Sequence, residues 1–184
     1  MPAPARTSTQ AVVAAGRTIL ERDGLSGLTM QAVAEAVGIR APSLYKRVRD
    51  RAALVRMVAD SVAGELADRL DAAATTGDPH RDLRAVADAF RSFAHANPSA
   101  YPLVFDPRTG GLSPEALGSS SAAVLRVAAS LAGEEDALAA ARTVVAWASG
   151  FVSMELSGAF QLGGQVDDAW EYGVRLLAHS LGPT

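Results

Sequence analysis

Residues 29–50 read TMQAVAEAVGIRAPSLYKRVRD, and this stretch predicts two short helices joined by a tight turn. Thr29 is a good N-cap, because its hydroxyl can accept a hydrogen bond from an early amide of the helix that follows. Gly38 ends that helix at a position that favours a positive φ. Pro42 opens the second helix, where its missing N–H costs nothing. The stretch therefore has the helix-turn-helix pattern.

The second of these helices has a polar and basic outer surface. Leu44 and Val48 are four residues apart and are expected to face inward. The other side chains are of the types that contact phosphates and base edges; they are Ser43, Tyr45, Lys46, Arg47 and Arg49. The alternative is a helical hairpin in the core of an all-α protein, but this helix has little apolar surface. DNA binding is the favoured interpretation.

The charges of the chain are unevenly divided, although the net charge is −3. Residues 1–56 contain nine Lys or Arg and four Asp or Glu, a net charge of +5. Residues 57–184 contain eight basic and sixteen acidic residues, a net charge of −8. Phosphate binding requires positive charge, and the basic segment is the one that contains the helix-turn-helix.

Composition favours a folded protein of one or two domains, since 49% of the 184 residues are hydrophobic and 20% are charged. The chain has no cysteine, which excludes disulfides, thiolate zinc sites and cysteine nucleophiles. No run of about 18 apolar residues occurs, and the first residues lack the apolar region of a signal peptide. We therefore expect no membrane association and a cytoplasmic location.

Capping residues and apolar periodicity predict nine helices and no strands. A helix from about residue 51 to 73, capped by Asp50, would be about 34 Å long at 1.5 Å per residue. It is too long for a domain of about 50 residues, so we expect it to link two domains. The other helices outside the helix-turn-helix are predicted from Thr7 to about Arg22, from about 79, 98 and 114, over 136–162 up to Gly163-Gly164, and over 167–181.

The predicted fold is therefore all-α, with a three-helix DNA-binding domain joined by a long helix to a five- to six-helix regulatory and dimerisation bundle. The domain boundaries are placed at 1–50 and 51–184. The last two helices are the candidates for a homodimer interface, because their small residues allow close packing and their excess apolar surface needs a partner; the small residues are Ala139, Ala140, Ala141, Ala146 and Gly150. The alternative is that these helices are buried within one subunit.

The opening stretch, extended to Leu54, resembles the DNA-binding domain of the TetR family of bacterial transcriptional regulators over about residues 8–56. Gly38, the pair Leu44-Tyr45 and the spacing Asp50-x-x-x-Leu54 match the family. Val48 stands where many members have an aromatic residue, although one branch has valine. In the C-terminal part, Asn97-Pro98-x-x-Tyr101-x-x-x-Phe105 and Trp147-Ala-Ser-Gly150 look like the WHG-type ligand-binding domain, with Ser149 in place of the histidine that names it.

The resemblance implies that the helix beginning near Pro42 enters the major groove of a palindromic double-stranded operator, which a dimer reads. The residues implied to approach bases or adjacent phosphates are Arg40, Ala41, Ser43 and Lys46, and those implied to contact the DNA backbone are Thr29, Tyr45 and Arg51. An exposed amphipathic aromatic residue is the alternative for Tyr45.

The effector is expected to be small and mainly apolar or aromatic, held in the regulatory half. The candidate contacts are the aromatic and soft side chains there, for which ordinary core packing is the alternative: Phe90, Phe93, Tyr101, Phe105, Trp147, Phe151 and Met154. The candidate polar anchors are His95, Tyr101, Ser149 and Glu155. The alternative for His95 is that of a surface residue at a helix end.

The predicted function is that of a ligand-responsive, sequence-specific transcriptional regulator, expected to be a repressor that a small effector releases from its operator. The alternatives are a helical ligand carrier and a ligand-independent DNA-organising protein. An enzyme is not expected, because the chain has no Gly-x-Ser-x-Gly, phosphate-binding glycine loop or His-Glu-x-x-His. His80, His95 and His179 have no metal-site spacing, so no metal or cofactor is predicted.

Overall fold

The computed structural model of the chain describes residues 8–106 and 110–181, which form eight α-helices and one 3-10 helix without any strand. The helices are α1 Thr9–Gly27, α2 Met30–Ala36, α3 Ala41–Tyr45, α4 Arg51–Ala73, α5 Pro79–Ala96, the 3-10 helix Tyr101–Val104, α6 Pro114–Ala132, α7 Ala137–Leu156 and α8 Val166–Ser180. The all-α prediction is confirmed, and α4 has the predicted bounds.

The first helix differs from the prediction at both ends. Its N-cap is Ser8, whose hydroxyl accepts a hydrogen bond from the Ala11 amide at 3.1 Å, whereas the predicted cap, Thr7, lies outside the described residues. Helical geometry breaks at Gly24, which has φ 69° and ψ −175°. This break follows the predicted end near Arg22 by two residues, but the chain makes a further helical turn before Gly27.

The seventh α-helix ends earlier than predicted. Gly158 has φ 68° and donates its amide to the Glu155 carbonyl at 3.0 Å. Ala159 donates to the Met154 carbonyl at 2.8 Å. This pair of bonds is a Schellman closure, which satisfies the last carbonyls of a helix. The prediction that Gly163-Gly164 ends the helix is wrong, because Gly158 has already ended it.

The helix expected from about residue 98 is a single 3-10 turn. The Leu103 amide donates to the Ala100 carbonyl at 3.0 Å, and the Phe105 amide donates to the Pro102 carbonyl at 3.2 Å. Bonds to the third preceding residue define a 3-10 helix. Pro102 cannot donate an amide bond, which limits the length of the turn.

The chain divides into two compact units. Unit 1 contains the described residues of Met1–Gly64 and Asn97–Leu117, and unit 2 contains those of Glu65–Ala96 and Gly118–Thr184. The fourth helix begins in unit 1 and ends in unit 2. The segment between α5 and α6 therefore belongs to the same unit as the helix-turn-helix, which the sequence did not indicate.

The core of unit 1 holds α1 against α4. A Cβ atom on Gly16 would lie 2.9 Å from Val58 Cγ2 and 3.5 Å from Leu28 Cδ1. Val58 and Leu28 are fully buried. Glycine at position 16 therefore permits an approach of the two helices that a larger residue would oppose.

The core of unit 2 is built from α5, α7 and α8, which contact one another. Phe93, Val152 and Trp170 are buried there, each with 1% or less of its surface exposed. A Cβ atom on Gly173 would lie 2.2 Å from Cζ2 of Trp147, so this glycine makes room for the indole ring. By length and composition α7 could cross a membrane, but buried core helices of soluble proteins have the same properties.

Candidate functional site

The turn between α2 and α3 has the geometry that its residues predict. The Thr29 hydroxyl accepts a hydrogen bond from the Ala32 amide at 3.1 Å and so caps α2. At the other end Gly38 has φ 72°, and its amide donates to the Glu35 carbonyl at 3.0 Å. The amide of Ile39 donates to the Ala34 carbonyl at 2.9 Å. These bonds close α2 and direct the chain into α3.

The third helix is fixed by its inner face. Leu44 has none of its surface exposed and Val48 has 2% exposed, which confirms that both face inward. Pro42 lies in the first turn of the helix. A helix of five residues is not stable alone, so its orientation depends on this burial.

The outer side of α3 and its flanks is polar and basic. Ala41 is half-buried, and the exposed side chains are Arg40, Pro42, Ser43, Tyr45, Lys46 and Arg47. Within the described part of the chain, Arg40, Lys46 and Arg47 have no ion-pair partner, so their charges are available to a polyanion. Tyr45 is 53% exposed, with its hydroxyl able to reach a phosphate oxygen. An exposed basic helix on a helix-turn-helix defines a DNA-binding protein.

The start of α4 is capped by Asp50. Its carboxylate accepts a hydrogen bond from the Ala53 amide at 2.8 Å and another from Arg49 Nε at 2.8 Å. These bonds, the amide bond first, lower the pKa of Asp50. Arg49 therefore has a neutralising partner, unlike the three basic side chains of the outer surface of α3.

Arg51 was implied to contact the DNA backbone, and its guanidinium contacts the protein backbone in the structure. Its Nε donates to the Leu28 carbonyl at 2.8 Å, and its Nη2 donates to the Leu25 carbonyl. Leu25 lies in the last turn of α1, and Leu28 lies in the connection between α1 and α2. The DNA contact implied for Arg51 stays a prediction, as do those implied for Thr29 and for the residues of α3.

The segment after α5 is bonded to α1 within unit 1. The Glu21 carboxylate accepts hydrogen bonds from the amides of Ser99 at 3.1 Å and Ala100 at 2.9 Å. Arg17 Nη2 donates to Asn97 Oδ1 at 2.7 Å. The segment is therefore held to the DNA-binding unit by two side chains of α1, a connection that no sequence spacing indicated.

The end of the same segment is bonded to α4. Asp60 Oδ1 accepts a hydrogen bond from the Ser113 amide at 2.9 Å. Ser113 in turn caps α6, since its hydroxyl accepts a bond from the Ala116 amide at 3.2 Å. Within unit 1, the start of the segment, at Asn97, is therefore bonded to α1, and its end, at Ser113, is bonded to α4.

The predicted ligand contacts are divided between the two units, and their roles stay predictions. Tyr101 and Phe105 belong to unit 1, where their ring centroids lie 5.6 Å apart. The other six candidates belong to unit 2: Phe90, Phe93, His95, Trp147, Phe151 and Met154. Phe90 and Phe93 are buried, whereas Met154 is 46% exposed.

Aromatic rings of α7 and α8 form a cluster in unit 2. Trp147 stacks on Trp170, with ring centroids 4.8 Å apart and an interplanar angle of 27°. Phe151 meets Trp170 edge-on at 5.2 Å and lies 4.8 Å from Phe160. Trp170 Nε1 donates to Asp88 Oδ1 at 2.8 Å. Sequence reasoning placed Trp170 only among the apolar residues of its helix and missed its central position.

A charged cluster lies beside these rings. Arg91 Nε donates to Glu155 Oε2 at 2.9 Å, and Arg91 Nη2 donates to Asp167 Oδ1 at 2.6 Å. His95 Nε2 lies 2.9 Å from Glu155 Oε2, and the Arg91 guanidinium lies 5.2 Å from the centre of the Trp170 ring. The candidate anchor His95 therefore contacts the candidate anchor Glu155. Arg91 was missed, although its spacing of four residues from His95 places both on one face of α5.

The buried carboxylate of this cluster is held in its charged form. Arg91 and Glu155 have 19% and 14% of their side chains exposed. The Arg91 hydrogen bonds are the main cause of the lowered pKa of Glu155; burial opposes them and His95 adds to them. The same pairing raises the pKa of Arg91. This cluster cross-links α5 to α7 and α8.

Comparison with known proteins assigns the chain to a family. Residues 12–58 match the model described as bacterial regulatory proteins of the tetR family, and residues 83–177 match the tetracyclin repressor-like C-terminal domain. An uncharacterised HTH-type transcriptional regulator of Mycobacterium tuberculosis is 30% identical over 164 residues, which are 84% of this chain and 73% of that protein. The chain belongs to the TetR family of bacterial transcriptional regulators.

Solved structures agree on the fold. A protein of unknown function from Rhodococcus sp. RHA1 has a TM-score of 0.80 at 23% identity, covering 98% of this chain and 99% of that one. A TetR variant from Acinetobacter baumannii AYE in complex with minocycline has a TM-score of 0.70 at 21% identity, covering 94% and 95%. The predicted DNA-binding transcriptional regulator is confirmed, and the family is one of regulators rather than enzymes.

The charged cluster predicts a pH-dependent contribution to stability. Because the folded-state pKa of Glu155 is lowered, its contribution is present above its ordinary pKa of about 4.3 and is lost as the pH falls through the folded value. We expect Glu155→Gln to lower the free energy of unfolding at pH 7 by about 1–3 kcal/mol. Denaturant unfolding measured from pH 7 to pH 3 should show this difference shrinking below about pH 4.

The matched control is Glu134→Gln, since Glu134 is exposed and should show little difference at any pH. A difference between wild type and Glu155→Gln that stays constant down to pH 3 would contradict the role assigned to the carboxylate.

Proposed function

We propose that the chain is a dimeric repressor whose α3 helices read a palindromic operator. The observation that carries the proposal is the exposed polar and basic side of α3, held in place by buried Leu44 and Val48. We assign base or adjacent phosphate contacts to Arg40, Ala41, Ser43 and Lys46. Backbone contacts are assigned to Thr29 and Tyr45. One such helix has little affinity alone, and a dimer supplies two.

The dimer is proposed to form through α7 and α8. Of the small residues of α7, Ala140 and Ala141 are buried within unit 2, whereas Ala139, Ala146 and Gly150 are exposed. These three follow one another at helical spacing and allow close approach of a second helix. Large apolar side chains beside them are exposed as well: Leu138 at 51%, Met154 at 46%, Tyr172 at 62% and Leu176 at 51%. Covering this surface with a second copy supplies the hydrophobic stabilisation of a homodimer.

The effector is proposed to be a small, mainly apolar molecule that contacts the aromatic side chains of unit 2. Trp147 and Phe151 are half-buried beside exposed Met154, a combination of apolar and aromatic surface typical of ligand sites. The structurally similar Acinetobacter protein was solved in complex with a small organic molecule, minocycline. We place the protein in the cytoplasm, where its operator is.

The effector acts, in this proposal, by favouring a conformation in which the spacing of the two recognition helices no longer matches the half-sites. The chain passes between the units three times: within α4, between Ala96 and Asn97, and within α6. These crossings are proposed to transmit the change to the DNA-binding unit.

Removal of the recognition side chains should weaken operator binding. We expect Tyr45→Ala and Lys46→Ala each to weaken binding by about 1–3 kcal/mol without changing the oligomeric state. The operator is first located by footprinting on the genomic neighbourhood of the gene, and a gel-shift titration then measures the affinity. The control is Arg81→Ala, which removes an exposed positive charge from α5 in unit 2. Wild-type affinity in both recognition variants would contradict the assignment.

A charge in the small-residue stripe of α7 should separate the dimer. Ala146→Glu places a carboxylate in the proposed interface, where burying it without a partner is costly. We expect a monomer with unchanged helical content, measured by sedimentation and circular dichroism at micromolar concentration. The control Ala14→Glu makes the same change at an exposed position of α1 and should remain dimeric. The proposed interface would be contradicted if the wild-type protein were monomeric, or if the Ala146→Glu variant remained dimeric.

The effector can be detected through the tryptophans, because both tryptophans of the chain lie in the aromatic cluster. A panel of apolar and aromatic compounds that includes minocycline is screened for changes in tryptophan fluorescence. We expect a compound that changes the fluorescence to lower operator affinity at saturation. Equal operator affinity with and without every saturating compound would contradict the proposed response.

A further inference from the structure

Arg51 joins the start of α4 to the connection that leads into the helix-turn-helix. Its Nε donates to the Leu28 carbonyl at 2.8 Å, and its Nη2 donates to the Leu25 carbonyl. Leu28 directly precedes Thr29, the N-cap of α2. One side chain therefore bonds to the backbone at two points between the break at Gly24 and the first residue of the helix-turn-helix.

We propose that Arg51 is a positioning residue for DNA reading, which sets the orientation of α2 and α3 on α4. This role differs from the phosphate contact that the family resemblance implies at this position. The inference rests on the proposed reading of DNA by α3, and it names a side chain that governs this reading without a base or phosphate contact of its own.

The chemistry of the side chain suits this role. A guanidinium is a planar fork whose separate N–H groups can bond to two acceptors at fixed angles, whereas a lysine ammonium is a point charge on a flexible stem. The carbonyls near the end of a helix carry partial negative charge and need donors. Arg51 supplies these donors at Leu25 and Leu28, so its bonds stabilise the connection as well as the start of α4.

Neighbouring contacts hold the start of α4, from which the Arg51 side chain extends. Asp50 caps α4 through the Ala53 amide at 2.8 Å and bonds to Arg49 at 2.8 Å. Farther along α4, the close approach of Val58 to Gly16 holds α1. The packing at Gly16 fixes the two long helices, and Arg51 fixes the connection that follows α1.

The test compares Arg51→Lys and Arg51→Ala, with Arg22→Lys and Arg22→Ala as matched controls. Arg22 is exposed on α1, pairs with Asp23 and lies in the same unit. The probes are a duplex carrying the sequence that the wild-type protein selects from a random pool, and an unrelated duplex of equal length. Binding is measured over a range of salt concentrations, well below the unfolding temperature of each variant.

The positioning role predicts that both Arg51 variants lose about tenfold in affinity for the selected duplex and much less for the unrelated one. It also predicts an unchanged dependence of affinity on salt, because no phosphate contact is lost. If Arg51 served stability alone, its variants would have a lower unfolding temperature. The ratio of their affinities for the selected and the unrelated duplex would be unchanged. Both Arg22 variants should keep the wild-type affinity for both duplexes.

A second measurement follows the contact directly. Nitrogen-15 NMR of the Arg51 Nε–H, assigned by its loss in Arg51→Lys, should show slowed hydrogen exchange in the free protein and in the complex with the selected duplex. This measurement uses the wild-type chain and does not depend on the folding of Arg51→Ala.

Three results would overturn the inference. The first is wild-type affinity in Arg51→Lys together with a loss in Arg51→Ala whose salt slope falls by about 0.9, which identifies a phosphate contact. The second is wild-type binding by both variants, which leaves the proposed function intact. The third is rapid exchange of the Arg51 Nε–H. Failure of the wild-type protein to select any sequence would overturn the proposed function and this inference together.

Discussion

Burial of Leu44 and Val48 is the interaction on which the DNA-reading surface depends. The third helix has five residues, too few to form a stable helix in isolation. Its conformation is therefore set by packing against unit 1, where Leu44 has none of its surface exposed and Val48 has 2% exposed. Because the inner face is fixed, the outward side chains hold a defined direction. The surface proposed to meet DNA is thus stabilised by a core that contains none of the proposed contact residues.

The sequence predicted those features that local bonds determine. Gly38 closes α2 and Asp50 caps α4 through backbone groups within four residues of each, so residue type and spacing were sufficient. The predicted end of α7 was wrong because the sequence contains two possible ends for this helix. Gly158 and the pair Gly163-Gly164 are both possible helix ends, and the residues between them are largely apolar or small. Periodicity could not separate the two, and the Schellman closure at Gly158 ends the helix.

Contacts between distant residues were beyond the reach of sequence patterns. Arg91 and Glu155 are 64 positions apart, and Glu21 lies 78 positions from Ser99. A carboxylate that finds its partner through packing of separate helices has no spacing that identifies the partner. The same limit explains why no spacing assigned Tyr101 and Phe105 to unit 1 and the other six ligand candidates to unit 2.

The bonds of Glu21 hold the residues that follow α5 to α1. Its carboxylate accepts two backbone amides, and hydrogen bonds to a charged group contribute about 1.5–3 kcal/mol each. Allosteric coupling energies are about 1–3 kcal/mol. An effector of ordinary strength is therefore expected to leave both bonds in place, together with the bond of Asp60 to the Ser113 amide. In the proposed response, the residues that follow α5 would keep their bonds to α1 within unit 1.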